Sequence, residues 1–192
     1  MGRNRKYDHE AVLDKAMRLF WQKGYLATSI AEMVEVTGLN TASMYKEFGD
    51  KNGLFERALE HYRRHVMGRR FEILTEAPNL QGVEAFLESV ALGAAGAKYR
   101  GCLMMNHLAQ KHAISTEAAE MIEDFCATME GLLETALRNA QAEGALPGDK
   151  DPAALASYIM CCVHGMVLYG RHPNKKDEIR KIQAMILQTT HA

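Results

Sequence analysis

Thr41, Ala42, Ser43, Tyr45 and Lys46 stand together inside the stretch TGLNTASMYKEFGDKNGLF, residues 37–55. Two hydroxyls, a phenol and an ammonium lie within six residues, and large aliphatic side chains are scarce among them. A short helix that only filled a core would carry more Leu and Ile. Hydrogen-bond donors and a positive charge on one helical face suit contact with something polar and anionic outside the protein. Its outer face is therefore the candidate functional surface.

The flanking sequence is built to hold that face in place. A helix over 7–23 is predicted from Asp8 as N-cap and from Val12, Ala16, Leu19 and Phe20 at helical spacing, with Gly24 ending it. Ser29 and Glu32 form an S-x-x-E capping box for a second helix, whose buried side is read as Ile30, Ala31, Met33 and Val34. Gly38 closes it, Asn40 caps a third helix running to about Glu47, and Asp50 caps a longer one carrying Leu54, Phe55, Ala58, Leu59, Tyr62 and Val66. Two short helices joined by a Gly-bearing turn, the second with a polar outer face, make a helix-turn-helix. In this reading Ala31 provides the small side chain where the two helices approach, and Leu39, Met44 and Phe48 hold the second one down. The exposed residues near its N-terminus are those that enter the DNA major groove in such a motif.

Further helices are expected at 53–75, 81–97, 101–112, 116–143, 152–170 and 175–190, with breaks at Pro78-Asn79, Tyr99-Arg100-Gly101, residues 144–149 and His172-Pro173-Asn174. The expected fold class is all-α. The chain has 192 residues, 47% hydrophobic and 24% charged, with only four prolines, which suits a soluble helical protein of one or two domains. The net charge of −1 conceals a polarity: residues 1–70 hold 13 Lys and Arg against 9 Asp and Glu, and the remainder is acidic. A basic front on an acidic back fits a nucleic-acid-binding end. The start MGRNRKYDHE is charged and lacks an apolar core, so no secretory signal is expected, and the four cysteines are expected to be reduced thiols in a cytoplasmic protein. Residues 153–170 contain no Lys, Arg, Asp or Glu, which approaches the length of a membrane span. Ser157, His164 and two tyrosines within it favour a buried bundle or dimer helix, and no membrane partner is expected.

Residues 8–55 resemble the DNA-binding domain of the TetR/AcrR family of transcriptional regulators. The resemblance rests on AMRLFWQKGYLATSIAEMVEVTGLNTASMYKEFGDKNGLF, whose spacing follows the family pattern throughout. It implies a helix-turn-helix DNA-binding domain over residues 1–52 and a helical effector-binding and dimerisation domain over 53–192. Nine or ten helices, a homodimer, a double-stranded DNA operator and a small-molecule effector follow from it, with no cofactor. GCLMMN, residues 101–106, is similar to a motif at the start of the sixth helix in one branch of the family. Carried over by position, Thr41, Ala42 and Ser43 would face base edges, and Lys46 a guanine or a phosphate. Tyr45, Thr28 and Lys51 would hold phosphates, Lys51 helped by its helix N-terminus. Arg3, Arg5 and Lys6 would enter the minor groove or follow the backbone. Lys46 and Glu47 depart from the aromatic or His common there in the family, and Ala42 offers only a methyl, suited to thymine.

Other residues invite chemistry of their own. His61 and His65 share a helical face at i, i+4, but Arg63 and Arg64 flank them with charge that opposes a cation, so a solvated face and no metal are expected. Cys102 beside Arg100 and near a helix start has the surroundings of a lowered thiol pKa, which makes a thiol-based redox or electrophile-sensing repressor the alternative reading. Eight of the twelve methionines lie from Met67 onward, in keeping with an adaptable apolar cavity. Its expected lining is Phe86, Met104, His107, Leu108, Phe125, Met129, Cys161 and His164, and its expected ligand a small apolar or aromatic effector, with His107 or His164 as polar anchor. The dimer contact is expected from Ala153, Ala156, Ser157 and Gly165 with Ile179, Ile182, Ile186 and Leu187. No nucleophile, base and acid combine in the sequence, so an enzyme is not expected.

Overall fold

The computed structural model describes residues 7–172 and 175–191, and Arg3, Arg5 and Lys6 lie outside them. Ten α-helices and no strand occur among the described residues. The first three are α1 (His9–Lys23), α2 (Ile30–Thr37) and α3 (Thr41–Phe48). Asp8 caps α1 by accepting from the amides of Glu10 and Ala11. Ser29 and Glu32 close a reciprocal capping box on α2, and Asn40 accepts from the amide of Ser43 at the start of α3. The α2–α3 turn requires Gly38, whose φ of 76° lies in the left-handed region that Cβ-bearing residues rarely adopt. Among the described residues, every N-cap read from the sequence in this region makes its hydrogen bond.

Helix α4 (Lys51–His65) follows after two residues, capped by Asp50. Gly53 sits in its first turn because a Cβ there would lie 2.0 Å from the carbonyl oxygen of Phe48, so only glycine permits the close α3–α4 corner. Phe20 of α1 meets Phe55 of α4 edge-on at 4.9 Å, and Trp21 meets Tyr62 at 5.1 Å. These aromatic contacts fasten α1 along α4.

The single helix expected over 53–75 is two. Helix α4 stops at His65, and α5 (Gly68–Glu76) begins after Val66 and Met67. Gly68 carries no helix-favouring side chain at the break, and bending there allows Met67 and Leu74 to be buried as well as the α4 stripe. This extra helix moves GCLMMN from the sixth helix to the seventh. Then come α6 (Leu80–Ala94), α7 (Leu103–Leu108) with a short 3₁₀ turn at Lys111–Ala113, α8 (Thr116–Ala142), α9 (Pro152–Tyr169) and α10 (Lys176–His191).

Helix α8 is the spine of the second half, packed on α4, α5, α6, α7 and α9. Its buried stripe of Ile122, Phe125, Met129, Leu133, Ala136 and Leu137 recurs at three and four residues. Helix α9 is long and apolar enough to cross a membrane by length and composition, yet it packs on α6, α8 and α10 within the bundle. Its far side stays open: Tyr158, Cys161, Gly165 and Leu168 are exposed, with Tyr158 and Leu168 at 44% and 66%.

Two expectations for this packing change. Ala31 is exposed, and Met33 and Thr37 are the residues of α2 that are buried. With α2 only eight residues long, its inward face is a narrow strip, and Ala31 falls outside it. Ala156, Ile179 and Ile186 are fully buried inside this chain, so they belong to the protomer's own core and are not a free surface for a second copy.

Candidate nucleic-acid interface and effector cavity

Helix α3 is held from below by Met44 and Phe48, at 1% and 8% exposure, and by Leu39 in the preceding turn. Its opposite side carries Thr41, Ala42, Tyr45 and Lys46 into solvent, with Ser43 half-buried. The rest of the motif is braced around it. Lys23 at the end of α1 binds Glu32 of α2, and this ion pair, with the backbone and hydroxyl of Ser29, lowers the Glu32 pKa to about 2. His9 of α1 stacks on Phe48 at 5.7 Å and sits 3.5 Å from Glu47 of α3.

Lys51 opens α4 with its Nζ 4.3 Å from the centre of the Tyr25 ring, and the Tyr25 hydroxyl donates to Asn52. Its ammonium thus stands at a helix N-terminus, braced by an aromatic face. Thr28 does not join this surface. It is 1% exposed, and its hydroxyl donates to the carbonyl oxygen of Gly24 at 2.7 Å, so it closes the α1–α2 loop from inside. Ser29, next in sequence, is the exposed hydroxyl of that loop.

The second feature is a cavity of about 510 Å³ enclosed by α4, α5, α6, α8, α9 and the α6–α7 loop. That size suits a small organic molecule. Phe86, Phe125 and Met129 line it, as read from the sequence, together with Val90, Met105, Met160, Val163 and Val167. The cavity reaches α1 as well, since Arg18 and Trp21 form part of its wall beside Tyr62. Arg70 supplies its most buried charge: Nη2 donates to the carbonyl oxygen of Ser89 at 3.1 Å, while the buried Nε has no partner. Trp21, Arg70 and Tyr99 escaped the sequence reading because they lie on three separate elements. The available signal was Trp21 itself, the chain's one tryptophan, beside the buried face of α1.

Five residues assigned to this lining stand elsewhere. Met104 is buried against the core with no exposure, and Leu108 packs half-buried on its rim. His107 is 2% exposed and doubly engaged: Nδ1 donates to the Leu103 carbonyl at 2.8 Å, and Nε2 accepts from the Tyr25 amide at 3.0 Å. Burial lowers its pKa, against the raising effect of the Leu103 carbonyl, so the ring is neutral and locked as a structural link. Cys161 points outward from α9, and His164 is half-buried away from the cavity. A helix places neighbouring residues about 100° apart, and spacing alone does not say which arc faces the hollow.

Cys102 does line the cavity, but in the opposite chemical state from that expected. It is 5% exposed, and desolvation raises its thiol pKa, outweighing the Met105 amide, the Tyr62 hydroxyl and Arg70. Arg100, two residues earlier, is exposed and is not among the groups that shift this thiol. A buried protonated thiol is a poor nucleophile.

Residues 12–58 match the family of bacterial regulatory proteins called the tetR family, and residues 79–186 match the tetracyclin repressor-like C-terminal domain. The chain belongs to the TetR family. The HTH-type transcriptional repressor ComR of Escherichia coli K12 is 31% identical over 190 residues, spanning 97% of this chain and 90% of ComR. The repressor BdcR of the same organism is 44% identical over 61 residues, 32% of this chain and 31% of BdcR. Among solved structures, a cysteine variant of the TetR-family regulator CifR, in complex with a 26-base-pair operator duplex, superposes with a TM-score of 0.81. It shares 25% identity and covers 98% of this chain and 100% of its own. This TetR protein is a DNA-binding transcription regulator of the helix-turn-helix type.

Proposed function

We propose that this TetR regulator is a cytoplasmic, homodimeric repressor released from a palindromic operator by a small molecule bound in the 510 Å³ cavity. The observation that carries the reading is the cavity wall: Arg18 and Trp21 belong to α1 of the DNA-binding unit, so an occupant would touch that unit directly. A ligand switches such a protein only by binding one arrangement of the two recognition helices better than the other. A cavity walled by both units provides that difference without a relay of side chains.

Recognition would run through α3, with Thr41, Ala42 and Ser43 at base edges, Lys46 at a guanine or phosphate, and Tyr45 and Lys51 on the DNA backbone. The basic arm of Arg3, Arg5 and Lys6 would add phosphate or minor-groove contacts. The apolar lining suits an aliphatic or aromatic body, and the unpartnered Nε of Arg70 suits an anionic or acceptor group on it. The second copy would cover the exposed strip of α9 at Tyr158, Cys161, Gly165 and Leu168, with Met185 of α10 beside it.

The test is operator binding by the intact protein against a set of apolar and aromatic acids, repeated with Met129→Trp. The indole would fill the cavity, so operator affinity should persist and release should vanish. Release by the same ligands at the same concentrations in the filled variant would place the effector elsewhere. Release only by oxidants, lost in Cys102→Ser, would favour the thiol reading instead.

A further inference from the structure

Helix α1 lies along α4 with its start at the end of α4, so that Glu10, in the first turn of α1, lies against His61 and His65. One carboxylate oxygen, Oε2, is 3.2 Å from Nδ1 of His61 and 3.3 Å from Nε2 of His65. The three prospective ligand atoms lie within 4.8 Å of one another, and the two imidazoles are 4.4 Å apart at their centres. Tetrahedral coordination at about 2.0–2.1 Å sets ligand atoms roughly 3.4 Å apart. Two edges of such a polyhedron are therefore present, and a small rotation of the exposed His65 closes the third.

We propose that Glu10, His61 and His65 form a site for a divalent first-row transition metal of zinc type, with the fourth position open to solvent. Two imidazoles and a carboxylate are the donor set of borderline cations, and not of calcium or magnesium. His61 points to a ligand most directly. It is 5% exposed, and its buried Nδ1 makes no hydrogen bond, although the carboxylate stands close by.

The arginines that argue against a cation in the sequence are turned aside. Arg63 Nε donates to Glu60 at 3.1 Å, and Arg64 Nε stands 3.7 Å from the same carboxylate. Glu10 and His65 have side chains 56% and 52% exposed, so a cation can enter from solvent. Metal there would clamp the start of α1 to the end of α4, whose last residue, His65, directly precedes Val66 in the cavity wall.

Chelator-stripped full-length protein would be titrated with Zn²⁺ by calorimetry and by thermal melting. One Zn²⁺ per chain is expected, with Tm rising with metal concentration. Glu10→Gln and His65→Ala should each weaken binding at least tenfold and abolish the Tm rise. His61 is less suitable for substitution because its loss would open the core. The absence of Zn²⁺ binding, or unchanged affinity in both variants, overturns the proposal. Zn²⁺ binding that disappears in Cys161→Ser, whose thiol is exposed, overturns it equally.

Discussion

The indole Nε1 of Trp21 donates to the carbonyl oxygen of Gly101 at 3.1 Å, joining residues 80 positions apart in sequence. Trp21 belongs to the DNA-binding unit and Gly101 to the loop that walls the cavity, next to Cys102. Together with the hydrogen bond from the Tyr25 amide to His107, it ties the end of α1 and the following loop to α7. A cavity occupant that moves this loop has a handle on α1.

Trp21→Phe keeps an aromatic ring against Tyr62 and removes only the donor. The Gly101 carbonyl loses its partner, at a cost of about 1 kcal/mol in unfolding free energy. Denaturant titration checks this, and operator release should require more effector because the coupling is weaker. Unchanged release would mean that the bond is structural only.

His107 makes the same junction sensitive to acid. Its folded pKa lies below the ordinary 6.5, so the unfolded chain binds the proton more readily. Stability from this group is therefore full above about pH 6.5 and is lost as pH falls through the folded value. Protonation would also give Nε2 a hydrogen where it now accepts from Tyr25. Melting curves from pH 7.5 to 5 should show Tm falling in the native protein. His107→Gln should flatten that slope, and an equal slope in both would assign the effect to His61 or His164, whose pKa values are also lowered.

Lys51→Ala should weaken binding to operator and random DNA alike and reduce the salt slope by about one unit, the signature of a lost phosphate contact. Lys46→Ala or Thr41→Val should instead change sequence preference, costing about 1–3 kcal/mol on the operator if a base contact goes. Equal losses on all sequences would move Thr41 and Lys46 to the DNA backbone.

Leu168→Glu tests the exposed strip of α9 as the proposed dimer contact. Leu168 is 66% exposed in the protomer, so the charge costs the monomer fold little. Sedimentation should show monomers, with operator affinity reduced because two half-sites are no longer held together. A charge at Ala156 is a poor test of the same idea, since that residue is fully buried in its own chain and the substitution would unfold it.

Local signals in the sequence determined the DNA-binding unit nearly complete. Asp8, Ser29-x-x-Glu32, Asn40 and Asp50 act on amides two or three residues away, and Gly38 and Gly53 act on their own turns, so neither needs the rest of the chain. The polar face of α3 was legible for the same reason, because Met44 and Phe48 leave only one side to bury. Tertiary structure alone decided where Thr28 turns its hydroxyl, that Cys102 is buried and protonated, and that His107 links two units and does not line a cavity. It also brought Glu10 to His61 across 51 positions and Trp21 to the cavity wall. Helical periodicity specifies that a face is buried, but not against which helix, because apolar stripes are interchangeable until packing selects among them.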